Sequence, residues 1–175
     1  MSDPFNITTA PGFDDPLEML QACHGRITAQ CDTLHKLVAH LQIQGNDEQS
    51  GQAAHAILRY FDTAGQYHHQ DEEQDLFPML FASGDSTAAG YIERLLGEHK
   101  EMEQAWRALR PLLQVIAENN SDTLDADIAS HFIDCYARHI EVENEDLLPL
   151  AKRLLNAEQL QTLGQQMAAR RGVKI

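Results

Sequence analysis

Basic residues are scarce in this 175-residue chain: 13 lysines and arginines stand against 27 aspartates and glutamates, for a formal net charge of −14. Nucleic acid and anionic membrane surfaces both require a basic face, so neither is expected as a partner. Cysteine is scarcer still. Cys23, Cys31 and Cys135 are odd in number and show no C-x-x-C spacing, which argues against a disulfide framework or a zinc knuckle. Reduced thiols in a cytoplasm fit this usage, and a cytoplasmic protein is the expectation. No apolar run reaches the length of a transmembrane helix. The opening stretch MSDPFNITTAPGFDDP lacks the charged and apolar regions of a signal peptide. Strand signals are absent throughout.

What remains reads as helix. Residues 1–14 carry Pro4, Pro11 and Gly12 and read as an extended arm, which Phe5, Ile7 and Phe13 could lay on the body. Asp15 as N-cap, Pro16 at the first helical position and Glu18 as capping-box partner open a helix running to Ile43. A second helix spans Glu48 to Leu80. A third starts from a cap at Ser86 or Thr87 and reaches Glu118. A fourth starts from a cap at Ser121 or Asp122 and reaches Leu155. Asn156, with Glu158 and Gln159, opens a shorter fifth helix that Gly172 stops. Short connections between four long helices predict an all-α, up-down-up-down four-helix bundle over 15–155, with a C-terminal helix over 156–172, in a single domain 1–175. Pro78, Pro111 and Pro149 are expected to kink or end their helices.

Histidine is plentiful, with nine in the chain, and its placement carries the chemistry. Two segments align without gaps: HHQDEEQDLFP from His68 to Pro78 and HIEVENEDLLP from His139 to Pro149. Both read H-x3-E-x2-D-L-[FL]-P. His24 and His99 share a weaker likeness, each with apolar residues at matching offsets (Ile27 and Leu34, Met102 and Leu109). The chain therefore divides into two helical hairpins, each with one His and then one H-x3-E. Residues four apart share a helix face, so His68 with Glu72, and His139 with Glu143, can reach one metal or two adjacent ones. Counted along alternating helices, His24, His68, His99 and His139 fall near one level. Imidazole with carboxylate suits iron, manganese or zinc.

With these residues in view, the chain resembles a hemerythrin-like, HHE cation-binding domain of the bacterial type over most of its length. The likeness rests on His24 in ACHGRI, HHQDEEQDLFP, His99 in GEHKEM, HIEVENEDLLP and the closing AARRG. It implies a non-haem di-iron centre, two irons per chain, with carboxylate bridges and an oxo or hydroxo bridge. It also implies work with dioxygen, peroxide or nitric oxide, or iron handling. Manganese and zinc stay open as occupants, and no protein partner is indicated.

The chain departs from oxygen-carrying hemerythrins at Glu103, where those proteins have a second His one turn after that of the third helix. Glu103 shares a face with His99, beside Met102 and Trp106, and is expected to be a third carboxylate ligand or an acceptor behind one. The alternative is a rotated helix with Glu103 in solvent. As a ligand it would offset the fourth positive charge of two ferrous ions, after Glu72, Glu143 and a bridging hydroxide. That would favour ferric iron, and so oxidation, peroxide turnover or sensing over reversible oxygen carriage. His69 and Glu73 form a second i, i+4 pair that either supports the ligands or faces the surface. Asp75 and Asp146 are expected to point inward near the bundle end and to orient ligands or bond backbone groups. His35 reads as a core or boundary residue, His40 and His55 as exposed, and Cys23 as facing away from His24's side of the helix. Whether such a protein is an enzyme, a sensor or an iron store is not decided by these residues.

Overall fold

The computed structural model describes residues 11–174, so Phe5 and Ile7 lie outside the described part. Helix α1 spans Pro16–Gln44. The second rod is built from α2 (Glu48–Asp62), α3 (Ala64–Gln70), a π-helical turn π1 (Asp71–Leu76) and α4 (Phe77–Ala82). Helix α5 spans Ser86–Ala117. The fourth rod is α6 (Ala126–Val142), a second π turn π2 (Glu143–Leu147) and α7 (Leu148–Leu154). Helix α8 (Ala157–Arg170) closes the chain. Helix α1 packs on α2 and α6, and α5 packs on the same two, which is the square of an up-down-up-down bundle. No strand occurs among the described residues.

Helix starts follow local capping chemistry, sometimes on a neighbouring residue. Asp15 accepts from Glu18 N, but its own N–H goes to Gly12 O, so the expected capping box does not close. Asp85, not Ser86 or Thr87, caps α5 by accepting from Ala88 N. The fourth rod starts later than expected, at Ala126, because Asp125 accepts from Asp127 N and Ile128 N. Ser121 turns back on Thr123, and Asp122 holds Asn46 N in the adjoining connection. Asn156 and Gln159 form a complete capping box for α8, and Gly172 supplies the left-handed φ of 69° just beyond its end.

The prolines act less uniformly than expected. Pro111 sits inside α5, which continues through it. Pro78 and Pro149 each follow a π turn. In both, an N–H bonds five residues back onto the carbonyl of the H-x3-E glutamate: Phe77 to Glu72 and Leu148 to Glu143. A proline ring clashes with the carbonyl four residues before it in a regular helix. The wide turn relieves that clash at the same place in both repeats, and π turns of this kind recur at functional sites. The turn also adds one residue per turn, which rotates everything after it.

Two apolar cores fill the bundle. One gathers Ile27, Leu34, Phe61, Met102, Trp106, Phe132 and Tyr136. The other gathers Leu17, Leu20, Leu76, Leu80, Leu95, Leu147 and Met167. On every rod the chemistry-bearing residue lies between them: His24 falls between Leu20 and Ile27, and His99 between Leu95 and Met102. Phe13 packs on the second core, and Gly164 lets the backbone of Phe13 approach, since a Cβ there would lie 1.9 Å from its carbonyl oxygen.

Helix α8 is fastened to π1 by charge. Arg170 pairs with Asp71 and, at 2.6 Å, with Asp75, and Arg171 pairs with Asp71 at 2.7 Å. The Asp71 side chain is fully buried, so its removal takes away the carboxylate partner of Arg171 and leaves Arg170 with the Asp75 carboxylate alone. Asp71→Ala is therefore expected to lower stability by about 3 kcal/mol, read from urea unfolding of the metal-free protein. Unchanged unfolding would show that the latch is dispensable.

Candidate metal centre

Between the two cores, eight buried residues carry an imidazole or a carboxylate: His24, His68, Asp71, Glu72, Asp75, His99, His139 and Glu143. Asp71 and Asp75 belong to the α8 latch. The other six converge. His24, His68, Glu72 and Glu143 offer ligand atoms within 4.8 Å of one another, and so do Glu72, His99, His139 and Glu143. The two groups share both glutamates.

Each shared carboxylate divides its oxygens between the two positions. Glu72 Oε1 lies 3.1 Å from His68 Nε2 and 3.8 Å from His24 Nε2, while its Oε2 lies 3.3 Å from His99 Nε2. Glu143 Oε2 lies 3.0 Å from His24 Nε2, and its Oε1 lies 3.2 Å from His139 Nε2. Every position thus has two imidazole nitrogens and one oxygen from each carboxylate. Such a donor set could hold a cation at each position, with both carboxylates between them.

The groups present fit such ions. His24 Nε2, Glu72 Oε2 and both Glu143 oxygens are buried without a hydrogen-bond partner. Two carboxylates buried with no lysine or arginine against them are costly unless something positive fills the space. Three imidazoles donate their outer Nδ1–H to a fixed acceptor: His24 to Asn144 Oδ1 at 2.7 Å, His99 to Glu73 Oε1 at 2.6 Å and His139 to Glu98 Oε2 at 2.9 Å. That leaves Nε2 facing inward as the donor for a metal, which is how metal-binding histidines are commonly held.

The hemerythrin HHE cation-binding domain family matches residues 15–151. The chain belongs to this family. A protein of Haemophilus influenzae (strain Rd), described as an uncharacterized protein, is 33% identical over 162 residues, covering 93% of each chain.

Within this hemerythrin-like centre, some sequence expectations fail. Glu103 does not join the cluster. Its side chain is 59% exposed and pairs with Arg107 on the outer face of α5. The solvent-facing alternative therefore holds: α5 turns Met102 and Trp106 inward, and Glu103 reaches only the rim of a cavity. Asp75 and Asp146 do not orient ligands, because the π turns carry them round the helix. Asp75 reaches Arg170, and Asp146 is exposed. His69 does touch one of the six converging residues, stacking on His99 with centroids 4.1 Å apart at 21°. His35 is exposed rather than at the core.

Residue spacing alone does not single out the acceptors Glu98 and Asn144, and it leaves Glu73 between two roles. The repeat held the signal. Its gapless alignment puts Glu73 over Asn144, each immediately after a shared glutamate, and Glu98 immediately before His99. Cys23 takes the corresponding place before His24. Its thiol, to which Arg26 donates at 3.1 Å, lies beside the His68 ring.

A cavity of about 440 Å³ reaches the centre from the His99 side, lined by His69, Glu73, Met102, Trp106 and Tyr136 among others. Burial and the neighbouring His99 hold the His69 pKa well below the ordinary imidazole value, so it is neutral. Its Nε2 is buried and unpartnered.

Without metal, protons do the neutralising. Burial alone would lower the pKa of His24, but Glu143 and Glu72 outweigh it and push the value up to about 9. Against the same burial, Glu72 and Glu73 push His99 up to about 9. Burial would raise Glu72, but His68 and its neighbours hold it well below the carboxylate range. The raised imidazoles contribute stability that is full below their unfolded value of 6.5 and is lost as pH rises through about 9. The depressed Glu72 contributes stability present above 4.5 and lost as pH falls through its folded value. Metal-free protein is therefore expected to lose thermal stability between about pH 6.5 and pH 9, while metal affinity rises over the same window as protons leave. Melting curves with and without metal check this, and a flat metal-free profile would contradict it.

The shared carboxylates make a further test. Glu72→Ala is expected to remove tight binding at both positions, because each loses an oxygen. Glu103→Ala is expected to leave two metals per chain. Metal analysis after gel filtration distinguishes the two variants.

Proposed function

We propose that the protein holds two iron ions bridged by Glu72 and Glu143 and meets dioxygen or its reduction products there. The donor set supports this: four imidazoles and two doubly used carboxylates, with no thiolate among the ligand groups. Manganese and zinc suit the same donors, and membership of the hemerythrin family favours iron. Bound iron would supply one-electron redox chemistry and coordination positions left open for a small molecule.

The chain's own residues do the rest. His24 and His68 would hold one ion, His99 and His139 the other. The apolar cores on either side, through Leu20, Leu76 and Leu95 and through Ile27, Phe61 and Met102, keep bulk water from the layer. The cavity beside His99 gives a small molecule a way in. There the neutral His69 has a nitrogen free for a hydrogen bond, and burial keeps the Tyr136 phenol protonated.

Glu103 no longer supports a redox bias, since it lies at the surface. The bias rests instead on Glu73 and Glu98. A carboxylate accepting a ligand histidine's Nδ1–H makes that histidine a stronger donor, and stronger donors favour the more oxidised metal. Redox sensing, or an oxidase or peroxidase activity on oxygen, peroxide or nitric oxide, is therefore favoured over reversible oxygen binding. Iron storage or delivery is the second alternative.

Anaerobic iron loading followed by mixing with oxygen or peroxide tests the proposal. Oxidant consumption with new near-ultraviolet bands from two irons per chain is expected. Oxygen recovered intact under vacuum would establish carriage instead. Iron that ignores both oxidants and leaves to a mild chelator would establish storage.

A further inference from the structure

The repeat pairs not only the ligands but also the groups behind them, and the pairing is uneven. The residue after each shared glutamate stands behind an imidazole of another rod: Asn144 behind His24 and Glu73 behind His99. The residue before the first His of each hairpin stands behind the H-x3-E histidine. Glu98 accepts from His139 Nδ1, whereas Cys23 lies beside His68, whose Nδ1 has no hydrogen-bond partner of good geometry. Carboxylates therefore back both His99 and His139. An amide oxygen and a thiol back His24 and His68.

Exposed arginines lie behind both positions. Arg26 donates to Cys23 at 3.1 Å, and solvent screens its charge. Arg94 pairs with Glu98 at 2.7 Å, but its side chain is 53% exposed, so solvent screens it. Glu73 has no arginine or lysine ion pair among the described residues. A thiol is a weak acceptor beside a carboxylate. Outer partners of metal-bound histidines change metal affinity by roughly 10–100-fold.

We propose that the two metal positions are unequal: the His99–His139 position, backed by Glu73 and Glu98, fills first and keeps its ion, and the His24–His68 position exchanges. The inference rests on the two-metal reading above. The retained ion is also the one beside the cavity, so incoming small molecules meet the better-held metal. Cys23 and Glu98 are positioning residues here, acting through His68 and His139.

Zinc avoids redox change and serves as the probe. Metal-free full-length protein given one equivalent of Zn²⁺ is crystallised, and anomalous scattering measures the occupancy of each position. At least about tenfold more zinc is expected at His99–His139. Glu98→Gln keeps the shape of the acceptor but removes its charge, and is expected to shift the ratio toward His24–His68 by roughly tenfold. Glu103→Gln, on the outer face of α5 and away from both positions, is expected to keep the parent preference, and circular dichroism confirms folding of both variants. Equal occupancy in the parent, or an unchanged ratio in Glu98→Gln, overturns the inference and leaves the two-metal reading standing. If a second equivalent finds no second position, the two-metal reading falls and the inference with it.

Discussion

Two glutamates buried in the same layer, each shared by two pairs of imidazoles, are the constraint on which the rest of this molecule depends. Neither carboxylate has a cation from lysine or arginine beside it. Their charge is met by protonated imidazoles or by bound metal, and the rest of the fold keeps those options close at hand. Four rods bring one histidine each to a common level. Two apolar cores close the layer above and below. Glu73, Glu98 and Asn144 fix the outer edges of three rings so that the inner nitrogens converge.

The π turns make this convergence compatible with the chain. Each begins at or just before a shared glutamate and ends before a proline, so the H-x3-E-x5-P element is a structural unit as well as a ligand motif. Widening the helix there accommodates the proline ring and redirects the residues beyond it. On the second rod the redirected Asp75 and the buried Asp71 become the anchor for α8. On the fourth rod the equivalent Asp146 simply faces solvent. One local irregularity therefore has two outcomes, and the presence of α8 beside π1 decides between them.

The bundle and its six central residues were legible because both rest on spacing. Helical periodicity, caps and short connections give four antiparallel rods, and H-x3-E occurring twice puts four side chains on inward faces. What was not legible depends on rotation about a helix axis. Glu103 shares a face with His99 on an ideal helix wheel, yet the packing of Met102 and Trp106 turns it outward to Arg107. A regular helical count puts Asp75 and Asp146 on the ligand face, and the π turns break that count. Glu98 and Asn144 look like ordinary surface residues until the partner helix is in place. Only the alignment of the repeats with each other marks them, since they occupy matched places beside matched ligands.

The central claim is that two metals lie side by side, joined by both glutamates and held by nitrogen and oxygen alone. X-ray absorption at the iron edge, on protein loaded with iron under anaerobic conditions, reads this most directly. The account predicts a metal neighbour at about 3.5–4 Å or slightly less, and a first shell of nitrogen and oxygen at about 2.0–2.2 Å. A spectrum with no metal neighbour, or with a sulfur ligand in the first shell, would contradict it.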